Sequence, residues 1–314
     1  MTHKIPVVFA FDDNYALPAS VAIQSLIDSR GPDTKYDVIV LHGGLKKSTM
    51  HRMETICPIR WIQVGRDAFQ GAPMGWSGRE TYYRLLLADL LPEYDRVIWS
   101  DVDVLFMDDL ANIFEIDMHD CDWAGIIAEK RDEKNGVHQH FPENTKPYVY
   151  MPGFMIANTK LWRDKNMSER FSKIISEYGP RLKMFDLDVL NLAADKIAAI
   201  PFEYCVLENI YDADDIKDAL EYPWLAAAHS PEALAHARQR PKIIHYAGRS
   251  PKIWLRRPNE IARNYFAYLV QSPFYNHEYY FPGWRTHMRR VLLWPVIKLC
   301  PVKAWRKKLK KARK

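Results

Sequence analysis

The sequence predicts an α/β fold: a mostly parallel, Rossmann-like central sheet flanked by helices, followed by a basic, aromatic, helical C-terminal tail. Three observations lead there. Apolar runs alternate with amphipathic segments through roughly the first 130 residues, the order that produces βαβ units. Several of those runs are apolar nearly throughout, as in strands covered on both faces. With 314 residues, 48% of them hydrophobic, the chain can enclose a sizeable core.

The elements follow in order. KIPVVFAF (4–11) reads as a buried first strand, and Pro18 sits in the first turn of a helix running through Ile27, where Pro is tolerated. YDVIVLH (36–42) is a second strand, Ser48–Ile56 a helix and IRWIQVG (59–65) a third strand. Glu80–Leu91 carries a helical pattern, and RVIWS (96–100) is a fourth strand. Beyond it, strands at Trp123–Ala128 and Gly153–Ala157 mix with helices at Leu161–Tyr178 and Asp186–Ala194. Residues 211–240 show no clean period, and PKIIHYA (241–247) reads as one more short strand. No repeat or low-complexity segment precedes the tail. The expected division is a domain over 1–255, a helical connection over 256–283 and the tail over 284–314.

Charge divides the chain unevenly. Twelve of its 44 Lys and Arg follow Glu278 with no Asp or Glu among them, so the preceding residues hold 32 basic against 39 acidic ones. An acidic body with a basic tail implies an anionic partner for the tail alone. The tail also carries Trp284, Trp294 and Trp305 and short apolar runs broken by Pro295 and Pro301, which suits an anionic membrane surface better than a span. A tail docked on the acidic body, or bound to nucleic acid without sequence preference, fits the same composition; no nucleic-acid partner is expected. No apolar run is long enough to cross a bilayer, and the start reads as a strand rather than a signal peptide. Four scattered cysteines (Cys57, Cys121, Cys205, Cys300) fit reduced structural thiols of a cytoplasmic protein.

Three segments carry chemistry. In VIWSDVDVLF (97–106) a buried strand runs into Asp101-Val102-Asp103. Alternate side chains of an extended chain share a face, so the two carboxylates converge just past a strand's carboxyl end, where open α/β sheets bind ligands. Two such carboxylates suit Mg²⁺ or Mn²⁺; a solvated turn with two chance acids is the plain alternative. In IIHYAGRSPKIW (243–254), His245 offers a third ligand, Gly248 a close backbone approach and Lys252 a point charge for phosphate, although a lone strand-end His is more often structural. In FAFDDNYA (9–16), acids and Asn14 stand where a base or ribose could be hydrogen-bonded, or where Asp13 or Asn14 caps a helix.

In this order, VFAFDDNYA, ETYYRLLLADLL, SDVDVLF, FDLDVLN (185–191) and HYAGRSPKIW together resemble glycosyltransferase family 8, over about residues 5–255. The resemblance implies a GT-A fold, a UDP-sugar donor (a UDP-hexose), Mn²⁺ or Mg²⁺, a glycan or glycolipid acceptor as in lipopolysaccharide assembly, and transfer with retention. Position by position it implies metal ligation by Asp101, Asp103 and His245. It implies a uridine pocket at Ala10, Asp12 and Asn14, and diphosphate contacts from Gly248 and Lys252, which are separated by one residue more than usual. Arg84 matches a basic residue near the donor sugar and phosphates, and Asp186 an acid holding the sugar's hydroxyls. Two positions depart from the family: Leu187 replaces a Gln near the anomeric carbon, and Met151-Pro152 precedes Gly153 where Asn-Ala is common.

Two other functions fit parts of the pattern. VIWSDVDVLF matches the nucleophile motif of haloacid-dehalogenase-type phosphatases, but three strands precede it and no later GDxxxD set follows. A UDP-sugar-binding protein that has lost catalysis would account for Leu187 and Met151-Pro152. The expected location is the cytoplasm, peripherally on the inner face of the membrane.

Overall fold

The structure is a computed structural model, and it describes residues 4–281 except 66, 70, 75–77, 132–140, 142, 213–227 and 249. The tail expected over 284–314, and half of the unpatterned stretch 211–240, lie outside the described residues. The fold is mixed α/β around a seven-stranded sheet of order β3-β2-β1-β4-β7-β6-β8. β1 (Ile5–Ala10), β2 (Tyr36–His42), β3 (Ile59–Gln63) and β4 (Val97–Ser100) are mutually parallel. β7 (Tyr148–Ala157) runs antiparallel to both β4 and β6 (Trp123–Lys130), and β6 is parallel to β8 (Ile197–Ile200). The sheet is thus mostly parallel with one reversed strand.

The burial pattern explains the continuous apolar runs. Val7, Val8 and Phe9 on β1, and Val97, Ile98 and Trp99 on β4, are at most 1% exposed, because side chains of both parities meet a core. One core layer holds Val7, Phe9, Ile98 and Phe154 with α1 (Ala16–Asp28). The other holds Val8, Trp99, Met155 and Trp162. Pro18 lies in the first turn of α1, as expected.

Order along the sheet fixes where a ligand can enter. From β1 the chain crosses to β2 and β3 on one side, then returns to place β4 on the other. The β1/β4 boundary is therefore the topological switch point, and its crevice opens at the carboxyl ends of the strands. Asp12 and Asp101 both follow those ends.

A smaller sheet completes this edge. β5 (Val104–Phe106) pairs antiparallel with β10 (Ile243–His245), and β10 parallel with β9 (Val206–Leu207). Residues after it fold back onto the body: Tyr265, Leu269 and Tyr280 are buried with Val21, Leu105 and Tyr246.

Two helices differ from expectation. Glu80–Leu91 is a 3₁₀ segment, Arg79–Leu86, passing into one α-turn, Leu87–Leu90. Tertiary packing wins over propensity there: Tyr82, Tyr83, Arg84 and Leu85 are all buried, so the segment is enclosed around its whole circumference. Leu161–Tyr178 is two helices, Thr159–Asp164 and Met167–Tyr178, broken where Asn166 adopts a left-handed φ of 53°.

Candidate active site

Three side chains converge at the switch point. Asp101 follows β4, and its N–H donates to Gly153 O on β7 at 2.8 Å. Asp103 lies two residues on, just before β5; Tyr246 N donates to Asp103 O at 2.8 Å, and His245 pairs in register with Val104. His245 Nε2 consequently stands 3.1 Å from Asp103 Oδ1 and 3.7 Å from Asp101 Oδ2. One ligand atom from each residue lies within 4.8 Å of the others. Ligands bound about 2.1 Å from one ion stand roughly 3 Å apart when adjacent and 4 Å when opposite. The set, two hard carboxylates and an imidazole, fits a divalent cation of the Mn²⁺ or Mg²⁺ kind.

The electrostatics of the cluster are cooperative. Burial opposes charge on Asp103, but His245 and the Lys252 ammonium, 2.6 Å from Oδ2, outweigh it and hold the carboxyl well below its usual range. Burial alone would favour a neutral His245; the Cys205 sulfur and Asp103 reverse this and raise its pKa. Lys252 is likewise pushed up, with burial overcome by Asp103, and it also donates to Tyr246 O at 3.2 Å.

Arg84 joins this cluster to a third acid. It is 3% exposed, with Nη2 2.7 Å from Asp101 Oδ1 and Nε 3.0 Å from Asp186 Oδ2. Nη1 donates to Pro152 O at 2.5 Å, and the guanidinium lies over the Trp99 ring, 4.7 Å from its centroid. Asp186 opens the helix Asp186–Ala193, where the amino-terminal dipole favours a carboxylate, and Phe185 reaches that turn at a φ of 51°. Burial raises Asp186 to a pKa of about 6 against the pull of Arg84 and of Thr81, whose hydroxyl donates to Oδ1 at 2.8 Å. Leu187 follows in the same turn, buried at 8% exposure.

A cleft lies at the carboxyl end of β1. A space of about 420 Å³ is lined by Phe11, Asp12, Asn14, Gly43, Lys46 and Tyr83 among others. Asp12 also caps the turn that follows, its Oδ1 accepting from the N–H of Asn14 and of Tyr15. The plain helix-cap reading is therefore met too, by Asp12 rather than by its neighbours. Ala10 ends β1 beside this cleft, and Gly248 follows β10 at a φ of 84°, open only to glycine at low cost.

Sequence reasoning missed four participants. Thr81 binds Asp186, and Trp99 supports Arg84. Cys205 Sγ faces His245 Nδ1 at 3.3 Å. Gly153 lies so close to the cluster that an added Cβ would stand 2.7 Å from His245 Cε1 and 3.2 Å from Asp101 Oδ2. Pro152 is tolerated beside it because the β6–β7 register shifts at Gly125/Ile126, where no ladder N–H is required.

The model of the family described as "Glycosyl transferase family 8" matches residues 6–257. The chain belongs to glycosyltransferase family 8. General stress protein A of Bacillus subtilis (strain 168) is 24% identical, over 77% of this chain and 85% of the relative. The galactosyltransferase LgtC, solved in complex with donor and acceptor sugar analogs, superposes at a TM-score of 0.69 with 22% identity, over 88% of this chain and 99% of LgtC. The apo structure of the bifunctional glycosyltransferase WbbM does so at 0.69 and 20%, but this chain covers only 51% of WbbM. At these identities the two structures establish the fold, which is that of GT-A glycosyltransferases. Family membership excludes the phosphatase reading of VIWSDVDVLF. It makes a sugar donor and an acceptor the substrates of this family 8 member, and no helix among its described residues is long and apolar enough to cross a membrane.

Proposed function

We propose that this family 8 protein is a metal-dependent hexosyltransferase that moves a sugar from a UDP-sugar, with retention at the anomeric carbon, onto a glycan or glycolipid at an anionic membrane surface, as in lipopolysaccharide synthesis. The observation that carries the reading is the convergence of Asp101, Asp103 and His245, with Lys252 and Asp186 beside them, in the crevice at the β1/β4 switch point. A divalent cation held by those three ligands would supply positive charge against the donor diphosphate.

The side chains divide the remaining work. Asp12 and Asn14 line the cleft that suits the uridine, and Ala10 ends the strand that leads to it. Gly248 admits the diphosphate close to the backbone, and Lys252 Nζ, held at Asp103, is placed to neutralise the departing phosphate charge. Asp186, ionised beside Arg84, accepts hydrogen bonds from sugar hydroxyls. Arg84 acts mainly as a brace: donors on Nε, Nη1 and Nη2 are engaged by Asp186, Pro152 O and Asp101, so the metal-binding and sugar-binding carboxylates keep one spacing. Leu187 presents no nucleophile. Retention then proceeds by front-face attack: the acceptor oxygen bonds C1 from the side on which the C1–O bond to UDP breaks, and its proton passes to the departing phosphate oxygen.

The test is a panel of UDP-sugars incubated without acceptor, in Mn²⁺ or in EDTA. One donor should be hydrolysed in Mn²⁺ alone, and Asp103→Ala should abolish that turnover. Full activity in EDTA overturns the proposal; tight UDP binding without turnover on any donor or acceptor would instead favour a protein that has lost catalysis.

A further inference from the structure

Backbone fixes where Asp101 and Asp103 leave the chain, but the imidazole of His245 has two nitrogens and can rotate, and only one of them faces the carboxylates. Cys205 ends the 3₁₀ turn Phe202–Cys205 and leads into β9. β9 runs parallel to β10 with Leu207 in register with His245, so the turn before β9 stands alongside the imidazole. Cys205 Sγ lies 3.3 Å from Nδ1, with the thiol 1% and the imidazole 7% exposed. Gly153 closes against the ring at Cε1, where a Cβ would approach to 2.7 Å. The ring is thereby held with Nε2 toward Asp103 and Asp101.

We propose that Cys205 is a positioning residue of the metal site: its sulfur accepts the Nδ1–H of His245, fixing the tautomer and ring orientation that leave the Nε2 lone pair for a divalent cation. The inference rests on the reading that Asp101, Asp103 and His245 share one ion. A histidine that ligates through Nε2 must carry its proton on Nδ1, and such rings normally hand that proton to a carboxylate, a carbonyl or water. A thiol is an unusual acceptor, but its sulfur is polarisable and fills the buried space beside the ring. A purely structural role, a small apolar side chain under β10, makes the opposite prediction: stability would change and metal affinity would not.

The full-length protein decides between them. Free Mn²⁺ is followed by EPR in titrations of wild type, Cys205→Ala, Cys205→Val, Cys205→Ser and His245→Ala, with metal-free thermal unfolding recorded for each. Loss of the acceptor in Cys205→Ala and Cys205→Val should weaken Mn²⁺ about tenfold or more, the scale seen for such supporting partners. Cys205→Ser, which restores an acceptor, should stay within about threefold of wild type. In Mg²⁺-loaded protein, ¹⁵N spectra of labelled histidines, with His245 assigned by its absence in His245→Ala, should show the Nδ1–H tautomer in wild type and Cys205→Ser. At the same Mg²⁺ concentration Cys205→Ala should show that tautomer in a smaller fraction of molecules, those that still hold the ion. The proposal is overturned if Cys205→Ala and Cys205→Val bind Mn²⁺ like wild type, whatever their stability. Should wild type bind no Mn²⁺ and His245→Ala make no difference, the metal reading itself fails, and that outcome is distinct from a wild-type-like Cys205 variant beside a defective His245→Ala.

Discussion

Replacing Asp186 by Asn probes the energetic burden of the sugar-side carboxylate. In the fold its pKa rises from 3.8 to about 6, because burial penalises the ionised form more than Arg84 and Thr81 stabilise it. At about 1.4 kcal/mol per pH unit, that difference makes ionisation roughly 3 kcal/mol costlier in the native state than in the unfolded chain. A group whose folded pKa is raised contributes stability that is complete below its unfolded pKa and is lost as the pH climbs through the folded one. Between pH 3 and pH 7, wild type should therefore lose about 3 kcal/mol that Asp186→Asn does not lose. Urea denaturation of both proteins in EDTA, at half-unit pH steps, measures the difference directly. The variant should gain on wild type progressively up to about pH 6.5 and then keep a constant lead, while turnover at pH 7 drops far more than UDP affinity. A stability difference that is flat with pH, or that grows in the wild type's favour, would show that Arg84 fully compensates the carboxylate and would sink this account of the site. The same variant separates the two roles of Asp186: a carboxylate kept at such a cost points to a need for an acceptor aimed at the sugar.

Other perturbations test neighbouring claims. Gly153→Ala should weaken Mn²⁺ binding at least about tenfold in an EPR titration and cost about 1–3 kcal/mol through overpacking, since its Cβ would meet His245 and Asp101; wild-type metal affinity would place Gly153 away from the cluster. From an α-linked UDP-hexose the glycoside should be α, read from the anomeric proton coupling, and a β product refutes retention. The basic tail, adding about 1 kcal/mol per Lys or Arg near an anionic surface, should take the full-length chain onto phosphatidylglycerol vesicles at low salt and release it at high salt. A chain that stays in solution with such vesicles has no membrane-binding tail.

β1, β2 and β4 were legible because burial on both faces writes them as largely apolar runs; with the edge strand β3, they all fall within two residues of the expected spans. The 3₁₀ course of Arg79–Leu86 was not, because its residues favour an α-helix locally and only the packed structure shows Tyr82 to Leu85 all turned inward. The convergence of Asp101 and Asp103 was readable from the two-residue period of extended chain. The meeting of Asp103 with His245 is a long-range event, 142 residues apart, that no local period encodes. It depends on Val104–Phe106, too short and too close to the DxD turn to stand out as a strand, pairing with Ile243–His245. Only the order of five motifs, each weak alone, brought His245 to the acids before the fold was known. The same order carried no information about the residues that hold the motifs in place. Thr81, Trp99, Gly153 and Cys205 have no distinctive local pattern; each acts because the fold brings it beside a titratable side chain. Groups expected to touch substrate were thus visible as spaced polar residues at strand ends, whereas groups that aim them became visible only as distances.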